Sequence, residues 1–177
     1  MAEQIKFDEL GATEPKCIQE KNDRQITCCF TGHRDLEETA ILYSRVRREI
    51  IRAYERGCRI FCTGGARGFD TIAAMNVLAI RNSTHPDIKL MLVLPFPNQH
   101  ASWNQHDKRI FETVLKEANL VEYTAERYHK GCMFVRNRRL VQLSSCCISY
   151  LLQPKSGTGY TVKLAEASGL YVVNLAE

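Results

Sequence analysis

The amino-acid sequence predicts an α/β domain in which helices cover both faces of a mostly parallel sheet, the Rossmann-like architecture. Short β-rich runs alternate with segments of helical periodicity along most of the 177 residues. The runs are apolar on both faces, which is typical of parallel strands between two layers of helices. Glycine-bearing turns follow several of the runs. Ligands of such sheets bind at the carboxyl ends of the strands.

Five strand–helix pairs and one final strand account for most of the chain. After the first strand, ITCCFT, the apolar residues Ile41, Val46 and Ile50 have helical spacing, and this segment closes at Gly57. Asp35 with Glu38 three residues later predicts a capping box at the start of this helix. The predicted pairs are 26–31 with 37–56, 59–63 with 69–81, 89–94 with 103–118, 120–123 with 132–143, and 146–152 with about 161–167, before a strand over 170–175.

Composition favours a single domain. A chain that is 45% hydrophobic and 25% charged has enough apolar residues for one core. Residues 1–25 are charged and aperiodic, so we predict an N-terminal extension or lid there and the domain itself over residues 26–177. The sequence shows neither an apolar run of bilayer length nor a signal peptide, so we expect a cytoplasmic protein without a membrane partner.

The eight cysteines and five histidines do not form a metal-binding pattern. Cys28–Cys29 and Cys146–Cys147 are adjacent pairs inside strand-like runs, where neighbouring side chains point to opposite faces of a sheet. We therefore expect buried free thiols, no metal and no required cofactor. The net charge of +4 permits an anionic ligand such as a nucleotide without requiring one.

The sequence KSGTGYTVKLAE places a Ser-Gly-Thr-Gly turn between a predicted strand and a predicted helix. Free N–H groups at a helix start bind anions such as phosphate, with help from the helix dipole. We expect Ser156, Gly157, Thr158, Gly159 and Thr161 to hold a phosphate there. Because glycine also serves ordinary chain reversal, this interpretation depends on similar turns lying nearby.

Three other turns, TGHRD, TGGARGFD and PFPNQHASW, follow predicted strands, and their positions converge on the same edge of the sheet. The glycines of the first two let the backbone approach a ligand, and Arg34 and Arg67 supply positive charge there. The residues of these turns that we assign to the pocket are Gly32, His33, Arg34, Gly64, Gly65, Arg67, Gly68, Asp70, Gln99 and Trp103.

Several of these assignments have a structural alternative. Asp70 either stabilises a helix start or binds sugar hydroxyl groups, and His33 is either a turn residue or a ligand contact. Trp103 either belongs to the core or stacks on a base. We also expect Gln99 and Asn137 to hydrogen-bond a base or a ribose.

Arg136 lies in the first turns of a predicted helix that begins near Cys132. The helix dipole disfavours a cation there, so we expect an anion to compensate this arginine. Arg136→Ala is then expected to weaken nucleotide binding without unfolding the chain. Arg138 and Arg139 are expected to be solvated, with contact to nucleic acid as the alternative.

The motifs CCFTGHRD, GGARGFDTIAAMNVL, GCMFVRNRRLV and SGTGYTVKLAEASG, with PF followed by Gln99 and Trp103, occur in the same order as in the YpsA-like proteins of the SLOG superfamily. The sequence resembles that family from about Cys28 to the C-terminus. The resemblance implies a Rossmann-like fold and a pocket for a nucleotide-derived ligand, such as ADP-ribose, an NAD-related molecule or a mononucleotide. We expect a sensor or sequestering protein, and a homo-oligomer is left open.

Two related groups keep other functions open. The motifs GGARGFD and SGTGYTVKLAEASG also resemble those of DNA-processing protein A, which implies single-stranded DNA as a partner. Met133 and Arg136 resemble the helix motif of LOG-type phosphoribohydrolases, which cleave the base from a nucleoside monophosphate. Thr161, however, stands where those enzymes carry a catalytic glutamate, and Glu166 lies more than one turn further along. With Asp70 as the one substitute carboxylate, we expect binding rather than catalysis.

Overall fold

A computed structural model of the chain describes residues 3–5 and 23–176. The strands are β1 Glu3–Ile5, β2 Thr27–Gly32, β3 Ile60–Thr63, β4 Lys89–Leu94, β5 Leu120–Tyr123, β6 Cys146–Tyr150 and β7 Tyr171–Asn174. The helices are α1 Ala40–Glu55, α2 Phe69–Ser83, α3 Gln105–Glu117, α4 Cys132–Gln142 and α5 Gly157–Ala167. The strands form one seven-stranded sheet in the order β1-β5-β4-β3-β2-β6-β7, and every pairing is parallel. The predicted Rossmann-like α/β fold is confirmed.

Helices cover both faces of the sheet. On one face, α1, α2 and α3 pack against a core that includes Cys28 and Phe30 of β2. On the other face, α4 and α5 pack against Cys29 of β2 and Cys147 of β6. Neighbouring residues of a strand point to opposite faces, so one strand supplies side chains to both cores. None of the described helices has the length and apolar character that a membrane crossing requires.

The N-terminal segment contributes a strand that the sequence analysis did not predict. Residues 3–5 form β1, which pairs in parallel with β5 at the edge of the sheet. Residues 23–25 form a short helical turn, and Arg24 Nε donates a hydrogen bond to the Ser144 carbonyl at 3.1 Å. Residues 6–22, which include most of the predicted extension or lid, lie outside the described residues.

Two helices begin later than predicted because of their caps. α1 begins at Ala40, since the Thr39 hydroxyl accepts a hydrogen bond at 3.1 Å from the N–H three residues later and so caps the helix. The predicted capping box of Asp35 and Glu38 is therefore wrong. α3 begins after Asn104, whose side chain caps its first turn in the same way.

α5 begins at Gly157, four residues before the predicted start at Thr161. Ser156 is the N-cap, because its hydroxyl accepts a hydrogen bond from the Gly159 N–H at 3.1 Å. The Gly-Thr-Gly segment is therefore the first turn of a helix and not a loop. The end of a strand and the N-terminus of a helix are separated here by a short connection, residues 151–156.

The strand order reverses at β2. Strands β3, β4 and β5 lie on one side of β2, whereas β6 and β7 lie on the other. The chain leaves β2 toward α1 on one face of the sheet and leaves β6 toward α5 on the opposite face. A crevice opens between the carboxyl ends of two such strands, and it is the usual ligand site of open α/β sheets.

The described cysteines are buried free thiols, as the sequence predicted: Cys28, Cys29, Cys58, Cys62, Cys132, Cys146 and Cys147. Cys17 lies outside the described residues. Burial is the main cause that raises the pKa of the Cys28 thiol. A hydrogen-bonding contact with Cys146, whose Sγ lies 3.5 Å away, and burial raise the pKa of Cys58. The reactive thiolate form of Cys28 and Cys58 is therefore disfavoured.

We expect these thiols to resist modification in the folded protein. In a Cys17→Ser variant, Ellman's reagent at about pH 8 should label less than one thiol per native chain, because the seven described thiols are buried and out of reach of the reagent. After unfolding in guanidinium, all seven remaining cysteines should react. Rapid labelling of one or more thiols in the native protein would contradict their burial.

Candidate functional site

A cavity of about 310 Å³ opens at the crevice between the carboxyl ends of β2 and β6. Its walls come from the loop after β2, the start of α2, the first turns of α4 and the first turn of α5. The predicted site residues that line it are Gly32, His33, Arg34, Asp70, Arg136, Asn137, Ser156, Gly157 and Thr158. The fold therefore brings together residues from turns that are distant in sequence.

The first turn of α5 presents backbone N–H groups to the cavity. The first N–H groups of any helix have no acceptor within the helix. Ser156 accepts from the Gly159 N–H, which leaves the N–H groups of Gly157 and Thr158, two residues that line the cavity. The helix dipole adds partial positive charge at this end. This end of the cavity is therefore suited to a phosphate or carboxylate group.

The Arg136 side chain is buried beside this end of α5, and the residue is only 5% exposed. Its Nη1 donates a hydrogen bond to the Gly64 carbonyl and lies 4.0 Å from the Asp70 carboxylate. Asp70 thus supplies an anion that the sequence analysis expected from a ligand. The Nε–H group is buried and has no hydrogen-bond partner within residues 23–176. This donor is an unsatisfied polar group inside the fold, because an atom with almost no accessible surface is out of reach of a ligand in the cavity.

Burial is the main cause of the pKa shifts of Arg136 and Asp70. Burial raises the pKa of Asp70, and the Arg136 guanidinium and the Ala66 N–H, which donates at 3.1 Å, oppose that rise. Burial lowers the pKa of Arg136, and the Asp70 carboxylate opposes that change. The exposed Arg34 also lines the cavity and lowers the pKa of Arg136 further. Two guanidinium groups thus face one carboxylate, and this balance favours an anionic ligand.

The glycines of TGGARG serve contacts within the protein. A Cβ on Gly64 would collide with the guanidinium of Arg136, so only glycine leaves room for that side chain. Gly68 has φ of +75°, and a Cβ there would collide with the Arg34 carbonyl. The sequence analysis explained both glycines by the close approach of a ligand. The structure explains them by the close approach of other protein segments.

His33 connects two walls of the cavity. Its Nε2 accepts hydrogen bonds from the N–H groups of Leu152 at 2.9 Å and Gln153 at 3.2 Å. Its backbone carbonyl accepts from the Phe69 N–H at the start of α2, at 3.1 Å. The loop after β2, the start of α2 and the loop before α5 are therefore held together through one residue.

Some of the predicted site residues do not line the cavity. Arg67 lies 3.8 Å from the Asp107 carboxylate on α3, and its charge is directed away from the cavity. Gln99 donates a hydrogen bond to the Gly65 carbonyl at 2.9 Å, so it supports the turn and does not reach a ligand. The loop after β4 therefore packs against the TGGARG turn from outside the cavity.

Trp103 and Thr161 also have roles inside the fold. Trp103 packs edge to face against Phe111, with ring centroids 5.3 Å apart, which is the core role that the sequence analysis had left as an alternative. Thr161 is fully buried, and its hydroxyl donates to the Gly157 carbonyl at 2.9 Å. Neither side chain lines the cavity, and Glu166 is exposed further along α5.

Phe134 is the main cavity residue that the sequence analysis missed. It lines the cavity, is 49% exposed, and packs against Tyr160 with ring centroids 5.1 Å apart. Residues three positions apart share a helix face, so Phe134 could have been predicted to line the site once Asn137 was assigned to it. Other lining residues that the sequence analysis did not assign are Phe30, Thr31, Ala66, Met133 and Leu140.

The two arginines that follow Asn137 have different environments. Arg139 forms a bidentate ion pair with Glu122 of β5, with nitrogen–oxygen distances of 2.6 and 3.1 Å. The expectation that Arg139 is solvated is therefore wrong, because this pair anchors α4 to the sheet. Arg138 is exposed, as predicted.

Comparison with known proteins identifies relatives of this chain. A family model described as the YspA SLOG family matches residues 28–167. A UPF0398 protein of Halalkalibacterium halodurans is 27% identical over 122 residues, which cover 67% of this chain and 64% of the relative. A UPF0398 protein of Shouchella clausii is 30% identical over 106 residues, which cover 59% of this chain and 56% of the relative. The match thus spans less than two thirds of each relative.

Two solved structures share the fold. DNA processing protein A from Helicobacter pylori, a protein that binds single-stranded DNA, has a TM-score of 0.60 and 19% identity, covering 90% of this chain and 70% of that chain. DNA processing protein A from Streptococcus pneumoniae has a TM-score of 0.59 and 19% identity, covering 84% of this chain and 49% of that chain. At this level of identity the likeness shows the fold alone.

The buried pair adds a cost in stability to the expectation that the chain stays folded when Arg136 is replaced. Arg136→Met should lower the free energy of unfolding by about 3 kcal/mol, because the buried Asp70 carboxylate loses its cation. Arg138→Met, the same change at an exposed site of α4, should alter it by less than about 0.5 kcal/mol. In denaturant titrations, Arg136→Met with Asp70→Asn should be less destabilised than the sum of the single changes by about 1 kcal/mol. Additive effects would contradict the pairing.

Proposed function

The chain belongs to the YspA SLOG family, and on that premise we propose that it binds a nucleotide-derived anion in the cavity between β2 and β6. The proposed ligands are a mononucleotide, ADP-ribose or an NAD-related molecule. One phosphate accepts hydrogen bonds from the N–H groups of Gly157 and Thr158. Arg136 and Arg34 balance its charge.

The observation on which this proposal rests is that the Arg136 side chain and the first amides of α5 meet at one cavity. Arg136 lines the cavity, and the Gly64 carbonyl and the Asp70 carboxylate hold its guanidinium in place. Gly157 and Thr158 line the same cavity. Backbone N–H groups and a guanidinium that converge on one volume form the recurrent arrangement for binding phosphate.

The dimensions and polar groups of the cavity support a small ligand. A volume of about 310 Å³ is at the lower end of the range of about 300–1,000 Å³ that is usual for small-molecule sites. Asn137 lines the cavity, and its side-chain amide carries both donors and an acceptor, which suits a ribose or the edge of a base. One nucleotide unit therefore matches the cavity better than a longer polymer.

We propose that the protein acts as a sensor or sequestering protein and that binding requires neither catalysis nor a cofactor. A catalytic carboxylate has to come within hydrogen-bond reach of its substrate. Asp70 is 6% exposed and already faces Arg136 and the Ala66 N–H. The hydroxyl of Thr161, at the position where related hydrolases carry glutamate, donates to a helix carbonyl.

Single-stranded DNA is the competing ligand, because its phosphates suit the same amides and a fold relative binds it. A thermal-shift screen with AMP, ADP-ribose, NAD and oligo-dT separates these ligands, since a ligand that binds the native state raises its stability. Stabilisation by oligo-dT alone, with a steep loss at higher salt, would favour DNA binding. Release of adenine from AMP would show hydrolysis.

We expect Gly157→Pro to weaken binding of AMP or ADP-ribose about 10-fold or more in calorimetry. Proline removes one N–H group, and a hydrogen bond to a charged acceptor contributes about 1.5–3 kcal/mol. The fold should tolerate this change, because Gly157 is the first residue of α5 and proline is favoured at that position. Ser156 already has the extended backbone that precedes proline, with φ of −152° and ψ of 171°.

Gly157→Ala is the matched control for this experiment. Alanine retains the N–H group, and a Cβ at this position meets no atom within 4 Å. Its affinity should therefore stay close to that of the wild-type protein. If both variants are folded and bind with equal affinity, the N–H group of Gly157 does not bind the ligand and the proposed phosphate site is wrong.

A further inference from the structure

Phe134 of α4 and Tyr160 of α5 form an aromatic pair beside the cavity. Their ring centroids lie 5.1 Å apart, with an interplanar angle of 87°. Phe134 is 49% exposed and Tyr160 is 38% exposed, and neither belongs to a core cluster. Burying an aromatic ring against an apolar surface is favourable, so an exposed ring at a cavity wall is available for a ligand.

The geometry of the pair leaves a ring surface free. In an edge-to-face arrangement, the edge of one ring covers one face of the other. At least one face of Phe134 is therefore not covered by Tyr160, and Phe134 itself lines the cavity. Tyr160 restrains the Phe134 ring, which lowers the entropy that the ring loses when a ligand packs on it.

The aromatic pair lies within one helical turn of the proposed phosphate groups. Tyr160 is three residues after Gly157 on α5, and residues at this spacing share a helix face. Phe134 is two residues before Arg136 and three before Asn137 on α4, and all three line the cavity. Asn137 can offer both a donor and an acceptor to the edge of a base.

We propose that Phe134, restrained by Tyr160, is a base-stacking subsite, so that the ligand class contains a nucleobase as well as a phosphate. This inference rests on the proposed function and assigns the stacking role to Phe134 in place of Trp103, which packs on Phe111. Stacking is tolerant of base identity, because every base has a π-face. Sugar phosphates that lack a base are then poor ligands of this protein.

The test combines removal of the base with removal of the ring. AMP and ribose 5-phosphate are titrated by calorimetry into the wild-type protein and into Phe134→Ala. The wild-type protein should bind AMP about 10-fold more tightly than ribose 5-phosphate, and Phe134→Ala should lose most of that difference. The affinity for ribose 5-phosphate should be the same in both proteins. Phe134→Tyr should retain the preference for AMP.

Tyr128→Ala is the matched control. Tyr128 is also an exposed aromatic residue, at 68%, but its ring packs on Phe96 and it does not line the cavity. Its removal should leave both affinities unchanged. Equal weakening of AMP and ribose 5-phosphate by Phe134→Ala would overturn the stacking role, because the ring would then act on the phosphate end or on the fold.

The outcomes separate the base subsite from the phosphate site. If Gly157→Pro weakens both ligands while Phe134→Ala changes neither, the phosphate site stands and the base subsite is wrong. If the wild-type protein binds neither AMP nor ribose 5-phosphate, both the subsite and the proposed function with these ligands fail. If Phe134→Ala reduces the affinity for AMP alone, the subsite is supported.

Discussion

The buried guanidinium of Arg136 is the constraint on which the site depends. A charge in the interior is costly unless hydrogen bonds and an opposite charge compensate it. The Gly64 carbonyl in the turn after β3 and the Asp70 carboxylate on α2 supply that compensation, so both segments are held against α4 around one side chain. The guanidinium has more donors than these partners use, and Arg136 is one of the residues that line the cavity.

This constraint also explains why the turn after β3 is rich in glycine. Gly64 makes room for the guanidinium, and Gly68 makes room for the backbone of the neighbouring turn. Glycine-rich turns at strand ends are often interpreted as ligand cradles. Here the proposed ligand contacts come from the first turn of α5 and from the arginine, while Gly64 gives that arginine room and accepts its hydrogen bond.

The polar groups nearest the cavity that could act in catalysis, Asp70 and Thr161, already have partners within the protein. Asp70 is tied to Arg136 and to the backbone, and Thr161 is tied to its own helix. Groups that are engaged in this way stabilise the fold and hold donors in position. The other polar and aromatic side chains of the cavity are cationic, amide, hydroxyl, imidazole or aromatic in character, and such groups support the proposal of a binding site.

The sequence by itself determined the alternation of strands and helices, the burial on both faces of the sheet, and the positions of the strand-end turns. Those features follow from periodicity and glycine placement, which are local properties. Only the tertiary structure decided that Thr39 and Ser156 cap their helices, that residues 3–5 join the sheet, that Arg139 pairs with Glu122, and that Phe134 and not Trp103 faces the cavity. Each of these depends on which of several competing partners lies within reach, and such distances are set when distant segments pack together.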